Sequence, residues 1–228
     1  EPFRSYDEVS IEALIEKRAK FLTEYQDKAY ADRYAALLKR VQEVERKRTP
    51  TANGVVLAVA KNAFKLMAYK DEYEVARLFS DGTFIKKIKQ QFEGDYKIEF
   101  NLAPPLISKK DPITGQLKKR TFGPWMMNAF RLLAKLKVLR GTAFDIFGKT
   151  EERKMERKLI EQYFGLVDMI LSNLNNENQQ TAIELLSLPE QIRGYGHVKE
   201  KAVEMVKSKE RQLLERFNNP ELSRTAAE

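Results

Sequence analysis

The spacing of the apolar residues sets the first limit on what this chain can fold into. From Ser10 onward, Ile11, Leu14, Ile15, Phe21, Leu22, Tyr25, Ala29, Tyr30, Tyr34, Leu37, Leu38, Val41 and Val44 recur at helical spacing, sustained to about Arg46. Ser10 reads as an N-cap, and Pro50 is the stop after the basic run Arg46-Lys47-Arg48. At ~1.5 Å per residue an unbroken segment would be a rod of about 50 Å, with Asp27 the place where a break is open. Tyr25, Tyr30 and Tyr34 lie on or near the buried stripe, where packing is a better account than a ligand site.

Helical spacing returns from about Gly54 to Phe79. The small apolar start Val55 to Ala60 implies close packing on a neighbour. A short helix to about Phe92 follows the break at Asp81-Gly82. The period then changes: Tyr96, Ile98, Phe100 and Leu102 alternate with Lys97, Glu99 and Asn101, which predicts a half-buried strand. Pro104-Pro105 ends it, Asp111-Pro112-Ile113-Thr114-Gly115 is a turn sequence, and Leu117 to Phe122 is the expected return strand. Two strands alone are marginal in water, so the hairpin must pack on helices.

Pro124 suits the first position of a helix whose expected stripe is Met126, Ala129, Phe130, Leu133 and Leu136. Trp125 is the expected anchor between hairpin and helix. Gly141 stops that helix, and Phe144 and Phe147 are expected to tuck inward. Thr150 caps a long helix with Met155, Leu159, Tyr163, Val167, Ile170, Leu171 and Leu174 on one stripe. Helices at about 177–186 and 197–217 complete the pattern. The expectation is a mainly α fold: a multi-helix bundle with a small antiparallel β-hairpin insertion at 95–122, built as a single domain over 1–228.

Charge is unevenly placed. The net charge is +8, and residues 81–140 hold 13 basic groups against 5 acidic ones, the same excess as the whole chain. Such a patch suits an anionic partner, although solvated lysines alone account for it equally well. With no cysteine there is neither disulfide, thiolate nucleophile nor cysteine-held cluster in this chain. No apolar run approaches the ~18 residues of a membrane span, and no secretory signal opens the chain, so a cytoplasmic location is expected. The start on Glu1 reads as a piece of something longer or processed.

Candidates for chemistry are few. Asp71 and Glu74 share a helix face and Lys70–Glu74 is an i,i+4 pair, a pattern better explained by surface ion pairs than by acid–base catalysis. His197 is the only histidine and is better read as a capping or hydrogen-bonding residue. A helical enzyme would need Asp71, Glu74, Arg193 and His197 to meet in one pocket. One histidine with scattered carboxylates offers no metal-ligand spacing. Gly-rich phosphate loops and the Gly-x-Ser-x-Gly elbow are missing from the sequence. A nucleic-acid-binding helical module has the charge, but no helix-turn-helix, finger or RNP-like aromatic pattern accompanies it.

Five strings in order, YKDEYEVARLF (69–79), FEGDYKIEFNLAPPL (92–106), FGPWM (122–126), LRGTAFDIFGKTEER (139–153) and LPEQIRGYGHVKE (188–200), resemble the C-terminal helical region of bacterial fused indolepyruvate ferredoxin oxidoreductases. The resemblance spans about residues 10–217. It implies a whole enzyme that oxidatively decarboxylates aryl-2-oxoacids to aryl-acetyl-CoA. Such an enzyme uses thiamine diphosphate, Mg and 4Fe-4S clusters and passes electrons to ferredoxin. This chain lacks cluster cysteines and the Gly-Asp-Gly and downstream Asn pattern that holds thiamine diphosphate. The resemblance therefore implies an accessory domain, inactive alone, with no catalytic residue or cofactor of its own. The basic face formed by Lys109, Lys110, Lys118, Lys119, Arg120, Arg131 and Lys135 is the expected dock for another domain of the same polypeptide, an acidic ferredoxin or the phosphates of CoA. Self-association is left open.

Overall fold

Side-chain caps open several of the helices, and a computed structural model describes residues 10–50, 54–103 and 118–219. Ser10 accepts from the Ala13 amide at 3.2 Å and opens α1 (Ile11–Tyr25). The rod does break near Asp27. Its carboxylate accepts from the Tyr30 amide at 2.8 Å and starts α2 (Lys28–Arg48) as a separate helix. The next expected helix is also two: α3 (Gly54–Met67) and α4 (Glu72–Ser80). Apolar spacing ran through this break, but hydrogen bonding did not. The Tyr25 hydroxyl donates to the Tyr69 carbonyl at 2.9 Å and Tyr30 to the Met67 carbonyl at 3.0 Å. Asp71 then caps the Glu74 amide at 2.8 Å.

Beyond α5 (Thr83–Gln91) lie β1 (Phe100–Leu102) and β2 (Arg120–Phe122), antiparallel, with Phe100 opposite Phe122, Asn101 opposite Thr121 and Leu102 opposite Arg120. The strands are shorter than the alternation suggested, because pairing covers only these three positions. Then come α6 (Met126–Lys135), continued by a 3-10 turn Leu136–Leu139, and α7 (Glu151–Asn173). Thr150 accepts from the Arg153 amide at 3.4 Å. α8 (Gln179–Ser187), a 3-10 turn Leu188–Gln191 and α9 (His197–Asn218) complete the chain. The described residues are 73% helical, with one small two-stranded antiparallel sheet, so the fold is mainly α.

The packing groups into two compact units, Glu1–Tyr69 with Lys154–Glu228, and Lys70–Arg153. In the first unit α2 packs on α1 and α3, and α8 packs on α3 and α9. Its core includes Leu22, Tyr34, Leu38, Val59, Ile170 and Leu186, all essentially closed to solvent. The small-residue start of α3 lies against α8: a Cβ placed on Gly54 would fall 2.4 Å from the Ile183 Cδ1. The buried Glu45 carboxylate accepts from the Val55 and Val56 amides, both at 2.8 Å, and so caps the same helix start from α2.

In the second unit α4 packs on α6, and the hairpin closes over a phenylalanine cluster. Phe79 stacks on Phe130 with centroids 5.1 Å apart and meets Phe84 and Phe100 edge-on at 5.0 and 5.4 Å. Met126 and Phe130 are buried as the stripe predicts, but Leu136 is exposed because the helix tightens into a 3-10 turn there. Trp125 touches Phe122 edge-on at 6.0 Å yet stays 61% exposed, so it rests on the hairpin without anchoring it. Phe147 packs on Tyr73, whereas Phe144 is 77% exposed, against the expectation that both turn inward.

Candidate functional site

The carboxylates singled out at 71 and 74 belong to the interior of the second unit, not to its surface. Arg140 donates through Nε to Asp71 Oδ2 at 2.6 Å and through a terminal nitrogen to Oδ1 at 2.9 Å, both side chains being 3% exposed. Asp71 also caps α4, so a single carboxylate fixes a helix start and neutralises a buried guanidinium. Glu74 is held by Arg77 at 2.8 and 2.9 Å within the same helix. The guanidinium carbon of Arg140 stands 5.6 Å from the Tyr73 ring centre. The Tyr73 hydroxyl donates to Asp145 at 3.2 Å, and Asp145 accepts the Gly141 and Gly148 amides, both at 2.8 Å. Burial, with Asp145 beside it, pushes the Tyr73 phenol well above its ordinary range.

This network ties residues 140–148 to α4. Gly141, at φ 76, takes the left-handed conformation that the turn after Arg140 requires. Both oxygens of each carboxylate are engaged, which is the arrangement of structural ion pairs and caps. By local rules alone Arg140, just beyond α6 and its 3-10 turn, is a surface cation at a helix C-terminus. No local signal marks it: the YKDEYEVARLF string buries two charges, Asp71 and Glu74, and the LRGTAFDIFG string two more, Arg140 and Asp145.

Arg193 and His197 lie in the first unit. Both are exposed, Arg193 donating to the Glu190 carbonyl at 3.3 Å and His197 standing first in α9 after Gly196. Asp71 and Glu74 therefore pair inside one unit, and Arg193 and His197 sit on the surface of the other. Among the described residues no three His, Cys, Asp or Glu side chains gather as a metal-binding group.

The cationic candidates fare differently. Lys109 and Lys110 lie outside the described residues. Lys118, Lys119, Arg120, Arg131 and Lys135 are all exposed, and all belong to the second unit. Arg131 donates to Asn128 Oδ1 at 3.0 Å, one turn back on α6. From Lys118 to Phe144 the chain has seven cationic residues, Arg140 included, and no carboxylate. Interleaved with them are apolar side chains left open: Trp125, Leu132 at 63% and Val138 at 65%. Leu132 falls outside the stripe set by Met126, Phe130 and Leu133, the one signal in the sequence that it faces outward.

No helix among the described residues is long and apolar enough to cross a membrane. Neither the curated proteins nor the solved structures give a match. The model of a protein family described as a family of unknown function, DUF6537, matches residues 11–212. That match runs through both units, from the first helix to the last, and the chain belongs to the DUF6537 family.

Proposed function

We propose that this chain is an accessory, non-catalytic domain of a larger 2-oxoacid:ferredoxin oxidoreductase, and that its second unit docks an acidic partner. The parent enzyme is suggested by the five ordered strings that resemble indolepyruvate ferredoxin oxidoreductases. The docking role rests on one observation: residues 118–144 expose cations and apolar side chains together and include no carboxylate. A surface of that kind steers an acidic protein into encounter and offers it a dry centre once it arrives. Within the same unit Asp71, Glu74 and Asp145 are engaged internally, and the exposed Asp81, Glu93, Asp95 and Glu99 lie outside residues 118–144.

The test uses the full-length parent carrying Lys119, Arg120, Arg131 and Lys135 changed to Gln. Reduction of ferredoxin should fall at least about tenfold at low salt, converge with wild type at high salt, and leave 2-oxoacid decarboxylation intact. Unchanged ferredoxin reduction at low salt would sink the docking role. The same face is also suited to a phosphate backbone. Salt-dependent DNA binding that the four changes abolish would replace this reading with the nucleic-acid one.

A further inference from the structure

The first unit holds a feature that the docking role does not use. An apolar cleft of about 640 Å³ opens beside α9. Its floor is core: Leu66 of α3, Tyr163 of α7, Leu185 of α8 and Leu188 line it while remaining buried. One wall is a single face of α7, where Leu159, Tyr163 and Leu166 follow at helical spacing. The other is a single face of α9, running from Val203 and Val206 to Lys207, Glu210 and Arg211. The depth of the cleft is apolar and the buried Tyr163 hydroxyl is already engaged, donating to the Leu186 carbonyl at 2.9 Å, while Gln162 is exposed at the edge.

Polar recognition is therefore confined to the rim. Lys207 and Arg211 stand one turn apart on α9, both exposed, and neither forms an ion pair among the described residues. Glu210 shares the rim. Burial raises its carboxyl above the usual range and Lys207 pulls it back. Two cations against one half-buried carboxyl leave the mouth positive. A smaller cavity of about 40 Å³ shares Leu66, Leu159 and Ile192 with the cleft, but its cations are engaged. There Lys65 donates to the Pro189 and Glu190 carbonyls at 2.7 and 3.0 Å, and Lys199 pairs with Glu156.

The cleft is too small to enclose a peptide helix, since two turns about 10 Å across would need roughly 850 Å³. Its volume instead lies within the range of about 300–1,000 Å³ typical of small-molecule sites. We infer that this cleft binds a small aliphatic organic anion, its chain on the floor of Leu66 and Leu185 and against Val206 of the wall, and its single carboxylate or sulfonate facing Lys207 and Arg211. The inference does not depend on the parent enzyme or on the docking role.

Calorimetric titration of the 228-residue chain with octanoate, 1-octanol and octylamine tests it. Octanoate should bind one-to-one and at least about tenfold more tightly than either match. Lys207→Ala with Arg211→Ala should bring octanoate down to the affinity of the alcohol and leave the alcohol unchanged. Val206→Phe should fill the cleft and weaken octanoate and octanol alike, at least about tenfold, with circular dichroism confirming that the helices persist. Both Lys207 and Arg211 are exposed, so the double variant decides the matter even if Val206→Phe fails to fold. Absence of saturable octanoate binding below about 1 mM would overturn the site, as would a double variant that binds octanoate like wild type.

Discussion

The two units solve the same folding problem with different means. The first buries long aliphatic and tyrosine stripes from six helices, and its tyrosine hydroxyls donate to backbone carbonyls: Tyr34 to Ala60 at 3.0 Å and Tyr163 to Leu186 at 2.9 Å, for example. Among its described residues the second has a core cluster of four buried residues, Ala76, Phe100, Met126 and Phe130, and adds a buried ion pair to it. Exposure runs the other way. Of twelve large apolar side chains exposed among the described residues, nine lie in the second unit, which is much the smaller of the two. Under the proposed docking role, this open apolar surface beside the cations is where a partner would sit, while the first unit is organised around its own interior.

The largest expected effect comes from the buried pair. Arg140→Ala would leave Asp71 charged and uncompensated, a loss of about 3–5 kcal/mol. Hydrogen exchange should localise that loss to α4 and α6. Equal loss of protection in α2 and α3 would show that the two units unfold as one block, and the contrast would fail. Leu38→Ala should cost about 2–5 kcal/mol by denaturant titration, with protection lost in α2, α3 and α8. Tyr34→Phe is a smaller change, about 1 kcal/mol, for the hydroxyl bond to the Ala60 carbonyl. It also has a pH signature. Burial pushes the Tyr34 phenol from 10.0 up to about 12, so the folded state holds a proton that the unfolded state releases. Stability should therefore fall as pH rises from 10.0 toward that value, and the Phe variant should flatten the fall. Least of all, Trp125→Ala should move stability by no more than about 0.5 kcal/mol, because the ring is largely in solvent. A large loss there would mean that the exposed apolar face stabilises the unit after all.

Where the sequence was read correctly, local rules and packing agreed. Ser10, Asp27 and Thr150 act at helix starts, and the stripe from Tyr163 to Leu174 is buried as its spacing demands. Misreadings occurred where long-range hydrogen bonds overrode periodicity. Nothing within 54–79 announces that Tyr25 and Tyr30, some forty residues earlier, will capture the carbonyls at the end of α3. Likewise the short-range spacing of Asp71 and Glu74 pointed to surface pairs. The partner that buries Asp71, Arg140, lies 69 residues away. Of the basic face, the charges were legible directly, since charge needs no fold to be counted. Its apolar component was not, because whether Trp125 is anchor or open surface depends on how far the hairpin reaches over it.

That open position gives the protein a reporter of its own. Trp125 is the only tryptophan, and it stands in the second unit while Tyr25, Tyr34 and Tyr163 are enclosed in the first. Its fluorescence should emit at the long wavelengths of a hydrated indole even in the native state. Unfolding of the first unit alone would leave that emission nearly silent, visible instead in tyrosine absorbance. A partner that covers the cationic face would shift the indole to shorter wavelengths without any label being attached.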